Sequence, residues 1–249
     1  GQLTITFGSN TPRLGAIIVR KIITDSSYYG EEEEEDETPV GEFITKWGTN
    51  YYQLEDGTYL TGLWTIDGYT YYFKESNGAM TKSAFVTIDD SKYYFDSDGH
   101  MVTGFMTKWS ATYYFYADGT LAVDALFTAD DGYTYYASSS GAIKKNSYVT
   151  ISDNTYYFDA DGHMVTGFMT KWGTTCYFDE NGVQLFDQLI EVSGYTYYLN
   201  TKGAVVKSKF VTFEDGKRYF DADGHMLVST TMTKWGTTYT FDENGLVVE

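Results

Sequence analysis

Tyr93-Tyr94-Phe95-Asp96-Ser97-Asp98-Gly99-His100-Met101-Val102-Thr103-Gly104-Phe105 decides how the rest of the chain is read. An aromatic triplet runs into an Asp-x-Asp-Gly turn, and an apolar segment and a second glycine follow. The same frame returns from Tyr156 to Phe168. The turn glycine of this frame recurs at Gly57, Gly78, Gly99, Gly119, Gly141, Gly162, Gly182, Gly203, Gly224 and Gly245, at intervals of 20 to 22 residues. A period near 20 marks one small unit copied many times. Such a unit cannot bury its apolar face alone, so copies must stack.

Each unit reads as a β-hairpin. A short apolar segment such as Phe85-Val86-Thr87-Ile88 precedes a turn, Asp89-Asp90, and then an aromatic strand, Lys92-Tyr93-Tyr94-Phe95. Asp-Gly and Asn-Gly between alternating runs supply the positive φ that tight turns need. No helical periodicity extends over a useful length. The sequence predicts an all-β solenoid of about ten stacked hairpins. A longer period lies on top. Lys-Trp recurs at Trp47, Trp109, Trp172 and Trp235, spaced 62, 63 and 63 residues apart. Gly-Tyr-Thr-Tyr-Tyr recurs at Gly68, Gly132 and Gly194, and Asp-Gly-His-Met at His100, His163 and His225. The duplicated block is therefore three hairpins in fixed order.

Residues 1–30 do not match the repeat. Leu3 to Phe7 alternates apolar and polar, and Ala16 to Val19 is apolar, so a short N-terminal β segment is expected there. Glu31 to Glu37 holds six glutamates and one aspartate, whose mutual repulsion makes residues 31–40 an acidic linker. The repeat array occupies 41–249. The chain begins with Gly1, which reads as a fragment whose own start, and any signal peptide, are missing.

The net charge of −18 lacks the basic footprint of a nucleic-acid binder and disfavours anionic polymers held by charge alone. No apolar run reaches 18 residues, so no membrane-inserting helix is expected. The single cysteine, Cys176, stands where Tyr113 and Tyr239 stand in other copies and reads as a core position, with a reactive thiol as the lesser alternative. Aromatics form 18% of residues, 25 of them tyrosine. Such a core suits thin hairpins in which each ring is half buried and each hydroxyl finds a partner.

The frame running from Tyr93 to Phe105 resembles the cell-wall-binding repeats of Gram-positive bacteria, a group that includes choline-binding modules, glucan-binding repeats and the repetitive domains of large clostridial toxins. The resemblance covers about 205 of the 249 residues. It implies hairpins each turned about a third of a revolution from the last, which would align each class of residue along one side. In the choline-binding branch the cage uses a tryptophan after the first glycine and another before Tyr-Tyr. Here those slots hold Phe105, Phe168 and Leu63, and Thr112, Thr70, Lys92 and Thr155. The resemblance thus points to the glucan-binding and toxin branches, and to a non-catalytic carbohydrate or cell-wall binding module of a secreted or wall-associated protein. A protein-binding adhesin or structural stalk is the alternative, with choline binding a lesser one.

The expected contact residues are Trp47, Trp109, Trp172 and Trp235, with Lys108 and Lys171 and the tyrosines Tyr114 and Tyr177. Sugar rings stack an apolar C–H face on aromatic planes while their hydroxyls seek polar partners. The competing reading has the tryptophans cover the edge of the stack and the lysines, Lys46 and Lys234 among them, remain solvated. Trp64 lies outside the row and reads as packing. Tyrosine-rich faces and stacked ends would also allow a homodimer.

No nucleophile motif, phosphate loop or His-Glu-x-x-His signature is present, so no enzyme and no cofactor is expected. Three histidines one block apart are too distant to share a metal ion. Asp159-Ala160-Asp161-Gly162 copies part of a calcium loop without the remaining ligands, so turn chemistry explains it.

Overall fold

The computed structural model describes residues 39–248; the N-terminal β segment and most of the acidic linker fall outside the described residues. Among the described residues every strand belongs to a two-stranded antiparallel hairpin, and there are ten hairpins. In order, they pair Gly41–Lys46 with Thr49–Leu54, Gly62–Ile66 with Tyr69–Phe73, Ala84–Ile88 with Ser91–Phe95, Gly104–Lys108 with Ala111–Phe115 and Ala125–Thr128 with Thr134–Ala137. The second five pair Ser147–Ile151 with Asn154–Phe158, Gly167–Lys171 with Thr174–Phe178, Gln188–Val192 with Tyr195–Leu199, Lys209–Phe213 with Gly216–Phe220 and Thr230–Lys234 with Thr237–Phe241.

Most hairpin tips are two-residue turns with both residues at positive φ, as at Asp89 (46°) and Asp90 (64°), or Ser152 (47°) and Asp153 (69°). These are the primed turns whose twist matches that of the flanking strands. The fifth hairpin uses a longer tip through Asp130-Asp131-Gly132. There the Tyr135 hydroxyl donates to Asp131 at 2.6 Å, which holds the Asp131 carboxyl below the usual carboxylate range.

Neighbouring hairpins are joined by backbone hydrogen bonds. The linker after one hairpin bridges the end of its own second strand and also donates to the second strand of the hairpin before. Met101 N–H bonds the Thr70 carbonyl at 2.7 Å, Leu121 bonds Lys92 at 2.7 Å and Met164 bonds Thr134 at 2.8 Å. The last residue of the second strand lies under this linker, a phenylalanine in most copies and Ala137 or Leu199 in two. Phe73, Phe95, Phe115, Phe158, Phe178 and Phe220 are all fully buried. The core is thus a column of rings with each copy completed by its neighbour, as a stacked-hairpin solenoid requires.

The repeated glycine serves both turn and stack. Gly141 adopts φ 87°, and a Cβ there would lie 2.6 Å from Cδ2 of the buried Leu121. Gly104 also has positive φ, 71°, but a Cβ there would meet nothing within 4 Å. Gly104→Ala should therefore cost only the left-handed penalty, about 1 kcal/mol. Gly141→Ala adds overpacking of a buried branched side chain and should cost about 2–4 kcal/mol in total. Urea unfolding of the two variants checks the difference; equal losses would show that the stack does not press on this glycine.

Candidate functional site

The four Lys-Trp pairs sit at hairpin tips. Trp47, Trp109, Trp172 and Trp235 occupy the first turn position, with φ between 50° and 52°. Asparagine, aspartate and glycine favour this conformation; a bulky side chain there costs about 1–2 kcal/mol. The rings gain little burial in return. Trp47 is 96% exposed, Trp109 76%, Trp172 89% and Trp235 80%. They do not cover the edge of the stack. Trp64, by contrast, lies on a strand and donates its Nε1–H to the Thr61 carbonyl at 2.7 Å.

The lysine before each of the last three tip tryptophans reaches back to the preceding hairpin. Lys108 Nζ donates to the Tyr94 hydroxyl at 2.8 Å, Lys171 to Tyr157 at 2.5 Å and Lys234 to Tyr219 at 2.8 Å. The same ammonium groups lie 4.8, 4.6 and 5.0 Å from the Trp109, Trp172 and Trp235 rings. Each lysine is therefore held between a tyrosine of one hairpin and a tryptophan of the next rather than left solvated. In the first hairpin Lys46 donates instead to Tyr59, from the linker that follows it.

Ring neighbours complete the face. Phe85 packs on Trp109 at 6.2 Å and on Tyr113 at 5.5 Å; Phe210 packs on Trp235 at 6.5 Å and on Tyr239 at 4.8 Å. In the intervening copy Tyr148 takes the phenylalanine position and the buried Cys176 replaces the tyrosine. Burial pushes the Cys176 thiol up, which fits an unreactive core position.

Tyr114 and Tyr177 are not part of this face. Strand residues alternate sides, so Tyr113 and Cys176 face the preceding hairpin while their neighbours face the next one. Tyr114 is 8% exposed and stacks on Phe127 at 4.6 Å; Tyr177 packs on Phe168, which in turn meets Tyr197. The tyrosines that join the tryptophan face are Tyr94, Tyr157 and Tyr219. The sequence signal for them was the triplet one hairpin before each Lys-Trp, Tyr-Tyr-Phe around Tyr94 and Tyr157 and Arg218-Tyr219-Phe220 in the last block.

The histidines form a separate row. His100, His163 and His225 stack on Tyr69, Tyr133 and Tyr195 at 4.0, 3.8 and 3.9 Å. Each lies 3.6 Å from the first aspartate of its own turn. Asp96, Asp98 and His100 could present three ligand atoms within 4.8 Å, as could the corresponding trios at His163 and His225. Asp96 Oδ1, however, accepts the Asp98 and His100 backbone N–H groups at 2.8 and 2.9 Å. The same turn forms at Asp242, where Leu246 stands in the histidine position. Turn chemistry accounts for the motif.

The slots of a choline cage hold no such cage. Before Tyr71-Tyr72 stands Thr70, bonded across the strands to Thr65 at 3.1 Å; before Tyr93-Tyr94 stands Lys92, opposite Thr87; and Thr175, before Cys176-Tyr177, bonds Thr170 at 2.8 Å.

Comparison with known proteins places these repeats. The choline-binding repeat family matches residues 60–104, 146–181 and 165–210. Glucosyltransferase-S of Streptococcus downei is 35% identical over 106 residues, 42% of this chain and 6% of that enzyme. The chain thus spans only a small part of the curated relatives it matches. Among solved structures, choline binding protein F of Streptococcus pneumoniae superposes with a TM-score of 0.59 at 18% identity, covering 85% of this chain and 100% of that one. The choline-binding domain of CbpL from the same species gives 0.57 at 26% identity, covering 76% and 98%. The repeats of this chain are thus related to those of the choline-binding and glucan-binding families of Gram-positive bacteria, with the family match lying over residues 60–104 and 146–210.

Proposed function

We propose that the array is a non-catalytic carbohydrate-binding module of a secreted or wall-associated protein, and that its tip tryptophans contact the glycan. One observation carries this reading: four tryptophans held at strained positive φ with three-quarters or more of their surface exposed. Strain retained without burial calls for a role outside folding. Trp47, Trp109, Trp172 and Trp235 offer the stacking planes. Lys108 and Lys171, with Tyr94 and Tyr157, offer hydrogen-bond partners beside them. Repetition along a polymer turns weak single contacts into avidity. The absence of aromatic residues from the threonine slots favours a sugar over choline.

Tryptophan-fluorescence titration tests the reading against α-glucan oligosaccharides, host-type glycans, peptidoglycan fragments and choline. A saturable change with a glycan is expected. Saturation with choline alone, or with none of the panel, would replace it with the choline-binding or stalk reading.

A further inference from the structure

The tip clefts differ from one another in which hydrogen-bond groups they leave unused, and this difference bears on the chemistry of the glycan. The inference rests on the glycan reading above. An ammonium group has three N–H donors and no acceptor. Lys108 spends one donor, on Tyr94, and the Tyr94 hydroxyl proton then remains available. Lys234 spends two, on Tyr219 at 2.8 Å and the Ser208 carbonyl at 3.3 Å. Lys171 spends all three, on Tyr157, Asn146 Oδ1 and the Asn146 carbonyl, and Tyr157 itself donates to Asn146 at 2.6 Å.

The second charge follows the same division. Lys92 lies 5.0 Å from the Phe85 ring beside Trp109, and Lys217 lies 4.4 Å from the Phe210 ring beside Trp235. The corresponding residue near Trp172 is Thr155. In a chain of net charge −18 none of these lysines has a carboxylate within 4.0 Å among the described residues. The clefts at Trp109 and Trp235 therefore present an aromatic plane, two ammonium groups and unused donors. The cleft at Trp172 has satisfied its own lysine.

We infer that the Trp109 and Trp235 clefts accept saccharides carrying an anionic oxygen group, a carboxylate, phosphate or sulfate, and that the Trp172 cleft does not share this preference. The acidic surroundings do not forbid it. Repulsion from distant carboxylates is screened beyond about 8 Å at physiological salt, whereas charge-assisted hydrogen bonds act at contact.

The test compares dextran with carboxymethyl-dextran and dextran sulfate of the same chain length, binding to the full chain. The charged polymers should bind about tenfold tighter than dextran, and the gain should vanish near 1 M salt, where screening acts within about 3 Å. Lys108→Met with Lys234→Met should bring the affinity ratio of charged to neutral polymer back to about one, whatever it does to dextran binding itself, while Lys144→Met, a charge outside the clefts, should leave the ratio in place. Asn146→Ser with Thr155→Lys rebuilds the middle cleft on the pattern of Ser83-Lys92 and Ser208-Lys217, and should raise affinity for the charged polymers. A preference for carboxymethyl-dextran over dextran sulfate, or the reverse, identifies the anion. Equal affinity for charged and neutral polymers would overturn the inference and leave the glycan reading standing. Silence toward all three polymers would also overturn it, and the panel titration then decides separately whether the module binds glycans.

Discussion

Phe158→Ala is expected to destabilise the array by about 3–5 kcal/mol. Phe158 is fully buried and stacks on Tyr136 of the preceding hairpin at 6.1 Å. Val149, Ile151, Met164 and Val183 pack into the same cluster, drawn from strands and linkers of successive units. The cavity would thus open at a joint between copies rather than inside one. In a solenoid, stability is approximately a sum of weak intrinsic units and strong interfaces. Losing a central interface should therefore lower the midpoint of urea unfolding and also divide the transition, with the flanking halves unfolding apart. A single transition with a loss below about 1 kcal/mol would mean that the column of phenylalanines does not hold the units together.

Replacing all four tip tryptophans by asparagine should reduce glycan affinity about 100-fold or more while leaving stability nearly unchanged. The two halves of this expectation have different origins. Stability changes little because two terms oppose each other. Each substitution relieves left-handed strain of about 1 kcal/mol, and asparagine suits the turn. Each also loses an exposed lysine–tryptophan contact of about 0.5–1 kcal/mol where one exists. Affinity falls steeply because each lost plane is one contact of a multivalent set, and avidity compounds the losses. Binding isotherms and thermal unfolding of the same preparation check both halves. A variant that fails to fold would assign the tryptophans to the scaffold.

The hairpins and their order could be read from the sequence because their chemistry is local. Asp89-Asp90 and Asp-Gly pairs specify turns by their own φ preferences, and Tyr-Tyr-Phe specifies a strand by alternation. The period of the Lys-Trp pairs also marked the tryptophans as a row. What the sequence did not disclose was which tyrosines share the row. Tyr113 and Tyr114 are adjacent and chemically alike, and only the strand register sends one toward Phe85, the ring that packs on Trp109, and the other toward Phe127. The lysine partners were hidden for a related reason. Lys108 meets Tyr94 across a hairpin boundary, and that pairing depends on how consecutive units stack. Likewise, the difference between the Trp109 and Trp172 clefts depends on Asn146, a residue unremarkable until its carbonyl and side chain are seen to occupy Lys171.

In the proposed binding mode the tip tryptophans, and not the strand tryptophan, meet the ligand. Indole N–H resonances of the five tryptophans, followed by NMR during a glycan titration, test it most directly. Signals of Trp47, Trp109, Trp172 and Trp235 are expected to move together with saturation, while Trp64, tied to the Thr61 carbonyl, stays in place. Movement of Trp64 alone, or stationary tip signals under a glycan that binds, would contradict it.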